Sequence, residues 1–143
     1  IRVAAAFSRL AKLGGSLTAK AKRSPGFQAL MQRAEALLQA GELAARAAAN
    51  VLWAVATFET RSQESRRMLP SLVEMAVFRA TEMKAQHVAI VIWVCAKMRL
   101  GRAQLQELIP ALAGVAVDRA DDLSVQGISN IIWASATLRG EAP

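Results

Sequence analysis

The hydrophobic pattern of the chain divides it into two alternating classes of amphipathic helix. Apolar positions recur with helical spacing, as expected for helices that bury one face. Helix A, which has a central tryptophan in three of its four copies, is predicted at about residues 2–13, 44–59, 84–99 and 124–138. Helix B, which contains or begins at a proline, is predicted at about residues 25–40, 66–81 and 104–119. The pattern therefore predicts an all-α fold of helix–turn–helix pairs.

The tryptophans and prolines give the period of this alternation. Trp53, Trp93 and Trp133 are evenly spaced, and Pro70 and Pro110 follow the preceding tryptophan at equal distances. Two independent markers that share one period, of about 40 residues, predict a tandem repeat. A single helix pair is too small to bury its own apolar face, so stacked copies are expected to form an α-solenoid.

The repeat predicts one solenoid segment over residues 1–143, with units that start near residues 1, 42, 82 and 122. In the first unit Ser8 replaces the tryptophan, and the last unit contains helix A only. The apolar face of that last helix is expected to need another repeat, domain or protein. We therefore expect the segment to belong to a larger protein or assembly.

Serines, prolines and glycines mark the expected helix ends. Ser24 precedes Pro25, as in a cap followed by proline at the first helical position, and Ser124 is a second expected cap. Pro70 and Pro110 are expected in or near the first turn of their helices. The glycines expected to stop helix A are Gly14, Gly15, Gly101 and Gly140.

The composition favours a packed helical domain without a membrane segment, metal or cofactor. Apolar residues make up 54% of the chain, which is enough for a core. The longest apolar run, residues 88–96, is too short to span a bilayer. Cys95 is the only cysteine and His87 the only histidine, so we expect core positions rather than metal ligands.

Positive charge is concentrated in the first quarter of the chain. Residues 1–34 contain seven bases and no acid, whereas the remainder contains eleven of each. Lys20, Lys22 and Arg23 are candidate RNA contacts within this segment. A basic, acid-free segment is also typical of an organelle-import leader, and a solvated surface without a partner is a third interpretation.

One face of helix A carries polar and aromatic residues at matching positions of successive units. The candidate RNA-binding residues on this face are Arg46, Asn50, Gln86, Lys97, Gln126 and Asn130. Amides and guanidinium groups can read base edges, and the three tryptophans can stack bases. The alternatives are that the tryptophans fill the core between repeats, and that the polar residues are solvated or bond to backbone groups.

Segments 49–57 and 129–137 resemble the octotricopeptide repeat. Asn50 precedes Trp53 and Asn130 precedes Trp133 by three residues, each tryptophan is followed by alanine, and Gln126 also fits the motif. FAST-kinase-like and RAP-domain proteins carry a similar motif. The resemblance implies an α-solenoid of mitochondria or plastids that binds organelle RNA and acts in its stabilisation, processing or translation, in some members as a ribosome component.

Together the residues and the resemblance favour an organellar helical-repeat protein that binds single-stranded or ribosomal RNA. The alternative is a structural or adaptor subunit of a large organellar complex, because the chain from Glu35 onward is neutral and solenoids offer extended surfaces to proteins. An enzyme is not expected, because the sequence has no Gly-rich phosphate loop, no metal-ligand cluster and no carboxylate pair beside a nucleophile.

Overall fold

The computed structural model describes residues 2–12, 19–57 and 63–139, and within these ranges every regular element is a helix. The α-helices are α1 (Arg2–Lys12), α2 (Ala19–Lys22), α3 (Pro25–Gln39), α4 (Ala45–Thr57), α5 (Gln63–Phe78), α6 (Ala85–Lys97), α7 (Arg102–Asp118) and α8 (Val125–Arg139). Two 3₁₀ turns, Ala80–Glu82 and Ala120–Asp122, follow α5 and α7. The predicted all-α class is confirmed. In the described part of the chain, no helix has the length and apolar character that crossing a membrane requires.

Seven of these helices correspond to the helices predicted from the hydrophobic pattern. Helices α1, α4, α6 and α8 are the four copies of helix A, and α3, α5 and α7 are the three copies of helix B. The short helix α2 and the two 3₁₀ turns were not predicted. A turn of three or four residues is too short to show a hydrophobic period, so a pattern argument does not detect it.

Helices of the same class pack against one another, and α1, α4 and α6 each also pack against their B partner. Contacts join α1 to α4, α4 to α6 and α6 to α8, and a second series joins α3 to α5 and α5 to α7. Between the two series lies one apolar core. Its largest fully buried side chains are Leu52, Met68, Leu72, Met83, Leu108 and Leu112.

Two serine caps predicted from the sequence are confirmed. The Ser24 hydroxyl accepts a hydrogen bond from the backbone N–H of Phe27 at 3.3 Å, with Pro25 as the first residue of α3. The Ser124 hydroxyl accepts one from the N–H of Gly127 at 3.0 Å. Each bond satisfies a donor that the first turn of a helix leaves without an intrahelical acceptor.

The predicted positions of two prolines and of one helix stop were wrong. Helices α5 and α7 begin earlier than expected, so Pro70 and Pro110 lie inside them rather than in the first turn. The backbone after α6 turns at Arg99, whose φ is 49°, and Gly101 instead caps the start of α7. The Gln104 side chain accepts a hydrogen bond from the Gly101 N–H at 3.2 Å, which fixes this earlier start. Gly14, Gly15 and Gly140 lie outside the described residues.

Two arginines at the ends of helix B repeat the same long-range contact. Arg79 donates from Nη2 to the carbonyl of Gly41 at 3.2 Å, and Arg119 donates from Nη2 to the carbonyl of Thr81 at 2.8 Å. The two donors, and likewise the two acceptors, have the same separation in sequence as successive tryptophans. Each guanidinium group therefore ties the end of one B helix to the turn that follows the preceding one.

Candidate functional site

The polar face of helix A lines an open depression across α4, α6 and α8, which we name the tryptophan groove. Its volume is about 460 Å³. Its lining side chains include Trp53, Gln86, Ile90, Trp93, Gln126 and Asn130. The groove thus brings together residues from three successive A helices, and five of these six were singled out in the sequence.

Two tryptophans, Trp53 and Trp93, line the groove, and Trp133 lies beside Trp93. Trp53 and Trp93 are half-buried against the core, whereas Trp133 is 48% exposed. The ring centroids of Trp93 and Trp133 are 6.4 Å apart, with an angle of 38° between the planes. The two interpretations from the sequence are therefore compatible, because one side of a ring can pack while the other remains open to a ligand.

Lys97 places positive charge beside the tryptophan groove. Its Nζ lies 5.0 Å from the ring centroid of Trp93, a cation–π contact that holds the ammonium group over the aromatic face. The side chain is exposed. The ammonium group therefore lies over one face of Trp93, where it provides a positive charge.

The amides of the groove present both hydrogen-bond donors and acceptors. Gln126 donates from Nε2 to Oδ1 of Asn130 at 2.9 Å, which orients both side chains. The carbonyl of Gln126 and the amino group of Asn130 remain for a ligand. Gln86 is exposed on the adjacent helix α6. This set of amides and aromatic rings can stack a planar group and bond to its edge.

A second depression, of about 390 Å³, lies between α4 and the start of α6, and we name it the cationic pocket. Its lining side chains are Arg46, Asn50, Glu82, Lys84, Gln86 and His87. Glu82 is paired with Arg79, since its Oε2 is 3.0 Å from Nη1 of that arginine. Gln86 lines both depressions, so the cationic pocket and the tryptophan groove are neighbours.

Burial changes the acid–base properties of His87 and Cys95. The imidazole of His87 is 8% exposed, and its pKa is lowered by desolvation first and then by the charges of Arg46 and Lys84. Burial raises the pKa of the Cys95 thiol to about 12, so the thiol stays protonated and unreactive. The predicted core positions of both residues are confirmed.

The basic residues of the first quarter lie on a different part of the fold. Lys20 and Lys22 belong to α2, which packs against α3, and Arg23 lies in the turn that joins these helices. The side-chain amide of Gln28 donates to the carbonyl of Lys22 at 2.9 Å and helps to hold this turn. The groove, in contrast, is built from α4, α6 and α8.

Lys84 and His87 were not identified as site residues from the sequence. Lys84 precedes α6, and helical spacing says nothing about where a turn residue approaches a neighbouring helix. His87 was assigned to the core, and it is indeed buried there, but its ring also forms part of the wall of the cationic pocket. Both residues lie within two positions of Gln86, which was identified from the sequence as a candidate contact.

No protein family, curated protein or solved structure matches this chain. The resemblance to the octotricopeptide repeat therefore remains a prediction that rests on the Asn–Trp–Ala motif and its period. Among the described residues, no three His, Cys, Asp or Glu side chains form a group that could hold a metal ion.

Proposed function

We propose that this chain is a section of an α-solenoid that binds single-stranded RNA along the tryptophan groove. The observation that carries the proposal is the convergence of Trp93, Gln126 and Asn130 in one open groove, with the ring of Trp133 6.4 Å from that of Trp93. Aromatic faces with adjacent amides are the means by which proteins stack and read unpaired bases.

The solenoid part of the proposal is supported by contacts that recur with the sequence period. Equivalent helices contact one another in order, and the bond from Arg79 to Gly41 recurs one period later as the bond from Arg119 to Thr81. In a solenoid each repeat packs only on its neighbours, so such contacts recur from unit to unit. The repeat then supplies one helix A per unit to the RNA-binding surface.

The cellular setting of the proposal is an organelle, mitochondrion or plastid, where the protein would act in RNA stabilisation, processing or translation, or as a ribosome component. This part rests on the resemblance and on the acid-free basic segment 1–34. Ribosomal RNA is included among the targets because the cluster of Lys20, Lys22 and Arg23 adds a phosphate-binding surface outside the groove.

Binding of labelled single-stranded RNA, followed by fluorescence anisotropy, tests the groove directly. Trp133→Ala is expected to weaken binding by about 1–3 kcal/mol, the contribution of one stacked base. Phe78→Ala is the matched control, because Phe78 is an aromatic residue 76% exposed on helix B. Equal affinities of wild type, Trp133→Ala and Phe78→Ala would contradict the proposal.

The salt dependence of the same binding gives the number of phosphates that the protein contacts. With Lys97 beside the groove and Arg46 and Lys84 in the neighbouring cationic pocket, the logarithm of the affinity is expected to fall with the logarithm of salt concentration with a slope of about −2. Substitution of Lys20, Lys22 and Arg23 by glutamine is expected to weaken binding further. Affinity that is independent of salt would contradict the proposal.

An adaptor role in a large organellar complex is the second candidate. It is favoured by the apolar side chains that α8 exposes, Val125 at 82% and Ile132 at 64%. Exposed apolar clusters of this kind are typical of surfaces that contact protein. Purification of the endogenous protein in a stable complex that contains no RNA would favour this candidate over the first.

A further inference from the structure

We propose that the cationic pocket between α4 and α6 is a phosphate-binding site. In this site Arg46 and Lys84 supply the positive charge, and the amides of Asn50 and Gln86 donate hydrogen bonds to the phosphate oxygens. The pocket of about 390 Å³ is large enough for a phosphate group and its ester substituent. The ligand is thus a phosphate ester, either a phosphodiester of RNA or the phosphate of a free nucleotide.

The charges of the pocket favour an anion. Arg46 and Lys84 are exposed, and neither has an ion-pair partner within the described part of the chain. The one acid of the wall, Glu82, is already matched by Arg79 at 3.0 Å. The pocket therefore carries an excess of positive charge that no protein group in these ranges neutralises, as expected for a site that recognises phosphate.

The amino terminus of α6 also points to an anion. The cap residue of this helix of 13 residues is Lys84, and no side chain accepts a hydrogen bond at this cap. The first N–H groups of a helix carry partial positive charge and bind phosphate when no side chain satisfies them. The N–H of His87 already donates to the carbonyl of Lys84 at 2.9 Å, so the N–H groups of Ala85 and Gln86 remain for an anion. At the equivalent start of α8, the hydroxyl of Ser124 accepts a hydrogen bond from the N–H of Gly127.

His87 is the independent observation that supports a ligand. The residue is 8% exposed, lines the pocket and makes no side-chain hydrogen bond to the described residues, and its ring nitrogens are not sealed off from solvent. The lowered pKa of His87, caused by desolvation and then by Arg46 and Lys84, shows that the field of both cations reaches the wall of the pocket. Glu82 is the acid on the same wall. A phosphate oxygen would give the imidazole N–H an acceptor.

The positively charged lining of the cationic pocket does not recur at the next junction of the repeat, between α6 and α8. The residues one period later than Arg46, Asn50, Lys84 and His87 are Gln86, Ile90, Ser124 and Gly127. None of them is charged, and they belong to the tryptophan groove. One junction is therefore suited to a phosphate and its neighbour to a planar base, with Gln86 between them. The extension to RNA rests on the proposed function, whereas the phosphate site itself does not.

Nuclear magnetic resonance of His87 tests the proposal, because the imidazole signals of the only histidine need no further assignment. Titration with inorganic phosphate at constant ionic strength is expected to shift these signals to saturation and to raise the pKa of His87. Arg46→Gln and Lys84→Gln are each expected to weaken phosphate binding about tenfold. Arg33→Gln, which removes an equal charge from the exposed surface of α3, is the matched control and is expected to leave binding unchanged. An equal response to chloride, or equal affinities of all variants, would overturn the phosphate site.

The same readout with a single-stranded RNA oligonucleotide, and with a nucleoside monophosphate, separates the two sources of phosphate. RNA that binds and shifts the His87 signals, with both effects reduced in Arg46→Gln, identifies a phosphodiester. Response to inorganic phosphate and nucleotide without binding of RNA keeps the phosphate site and refutes the proposed function. RNA binding that depends on Trp133 but leaves the His87 signals unchanged, in wild type and Arg46→Gln alike, keeps the proposed function and overturns the phosphate site.

Discussion

At the scale of single residues, burial beside two cations makes the neutral form of His87 the stable one in the folded protein. Desolvation, Arg46 and Lys84 lower its pKa from the ordinary value of 6.5. The unfolded chain therefore binds the proton more tightly than the folded chain. Stability rises with pH wherever the unfolded state binds more protons. Above pH 6.5 the ionisation of His87 therefore does not reduce the free energy of unfolding. As the pH falls below 6.5, it reduces that free energy progressively.

The stability of the protein is expected to depend on pH in buffers without phosphate. The free energy of unfolding by urea is expected to decrease as the pH falls from about 7 to about 5, because His87 must then be protonated in a buried position. His87→Gln is expected to show a smaller decrease over the same range. An equal dependence of the unfolding free energy on pH in wild type and His87→Gln would show that the pKa of His87 is not lowered in the folded protein.

At the scale of elements, the ends of the B helices are held by arginines rather than by glycines. Arg79 and Arg119 each donate to a backbone carbonyl in the turn that follows the preceding B helix. Arg79 also pairs with Glu82 and lies with its Cζ 5.8 Å from the ring centroid of Phe78. A carbonyl at a helix–helix turn has no intrahelical donor, so a long side chain from the next unit can satisfy it.

Removal of these guanidinium groups is expected to destabilise the fold. Arg79→Ala and Arg119→Ala should each lower the free energy of unfolding by about 1 kcal/mol, because each loses a charge-assisted but solvent-exposed hydrogen bond. Arg33→Ala is the matched control and should change it by less than about 0.5 kcal/mol. Denaturation by urea measures all three, and equal stability of the three variants would contradict a role for the repeated contact.

The helices were predictable from the sequence, whereas the connections between them were not. Periodic apolar positions placed all four A helices, because burial of one face imposes that spacing, and tryptophans marked three of them. The serine caps were predictable because their chemistry is local. The left-handed turn at Arg99 and the approach of Lys84 to Arg46 depend on how two helices meet, which no local pattern encodes.

The candidate site was predictable to the same extent. Residues that share a helical face, such as Gln126 and Asn130, were found because a spacing of four brings them together. Trp93 and Trp133 occupy equivalent positions one period apart, so the stacking of α6 on α8 brings their rings together. The cationic pocket was missed because one wall is a turn, Glu82 and Lys84, and the other is a helix from a different unit.

At the scale of the whole molecule, one side of α8 is exposed to solvent, whereas the same side of α6 is buried. Ile92 is 8% exposed, and Ile132, which is its equivalent in the next unit, is 64% exposed. Ile92→Ala is expected to lower the free energy of unfolding by about 2–4 kcal/mol, because the change leaves a cavity in the core. Ile132→Ala should lower it by less than about 0.5 kcal/mol, because the side chain is largely solvated.

Urea denaturation of Ile92→Ala and Ile132→Ala tests whether the equivalent residue is buried in α6 and solvated in α8. Addition of a further repeat or a partner that covers α8 should raise the cost of Ile132→Ala towards that of Ile92→Ala. A cost of Ile92→Ala as small as that of Ile132→Ala would contradict the packing of α6 at the centre of the fold.

The central claim is that RNA binds the groove formed by the A helices, and ultraviolet crosslinking of the protein to single-stranded RNA tests it most directly. Cleavage after lysine and arginine gives one peptide of residues 85–97 that is α6, a second of residues 103–119 that contains nearly all of α7, and a third of residues 120–139 that contains α8. Mass spectrometry is expected to find RNA attached to the first and third of these peptides, at Trp93 or Trp133 and their neighbours. Crosslinks confined to the α7 peptide and the other B helices, or to residues 1–34, would contradict the account.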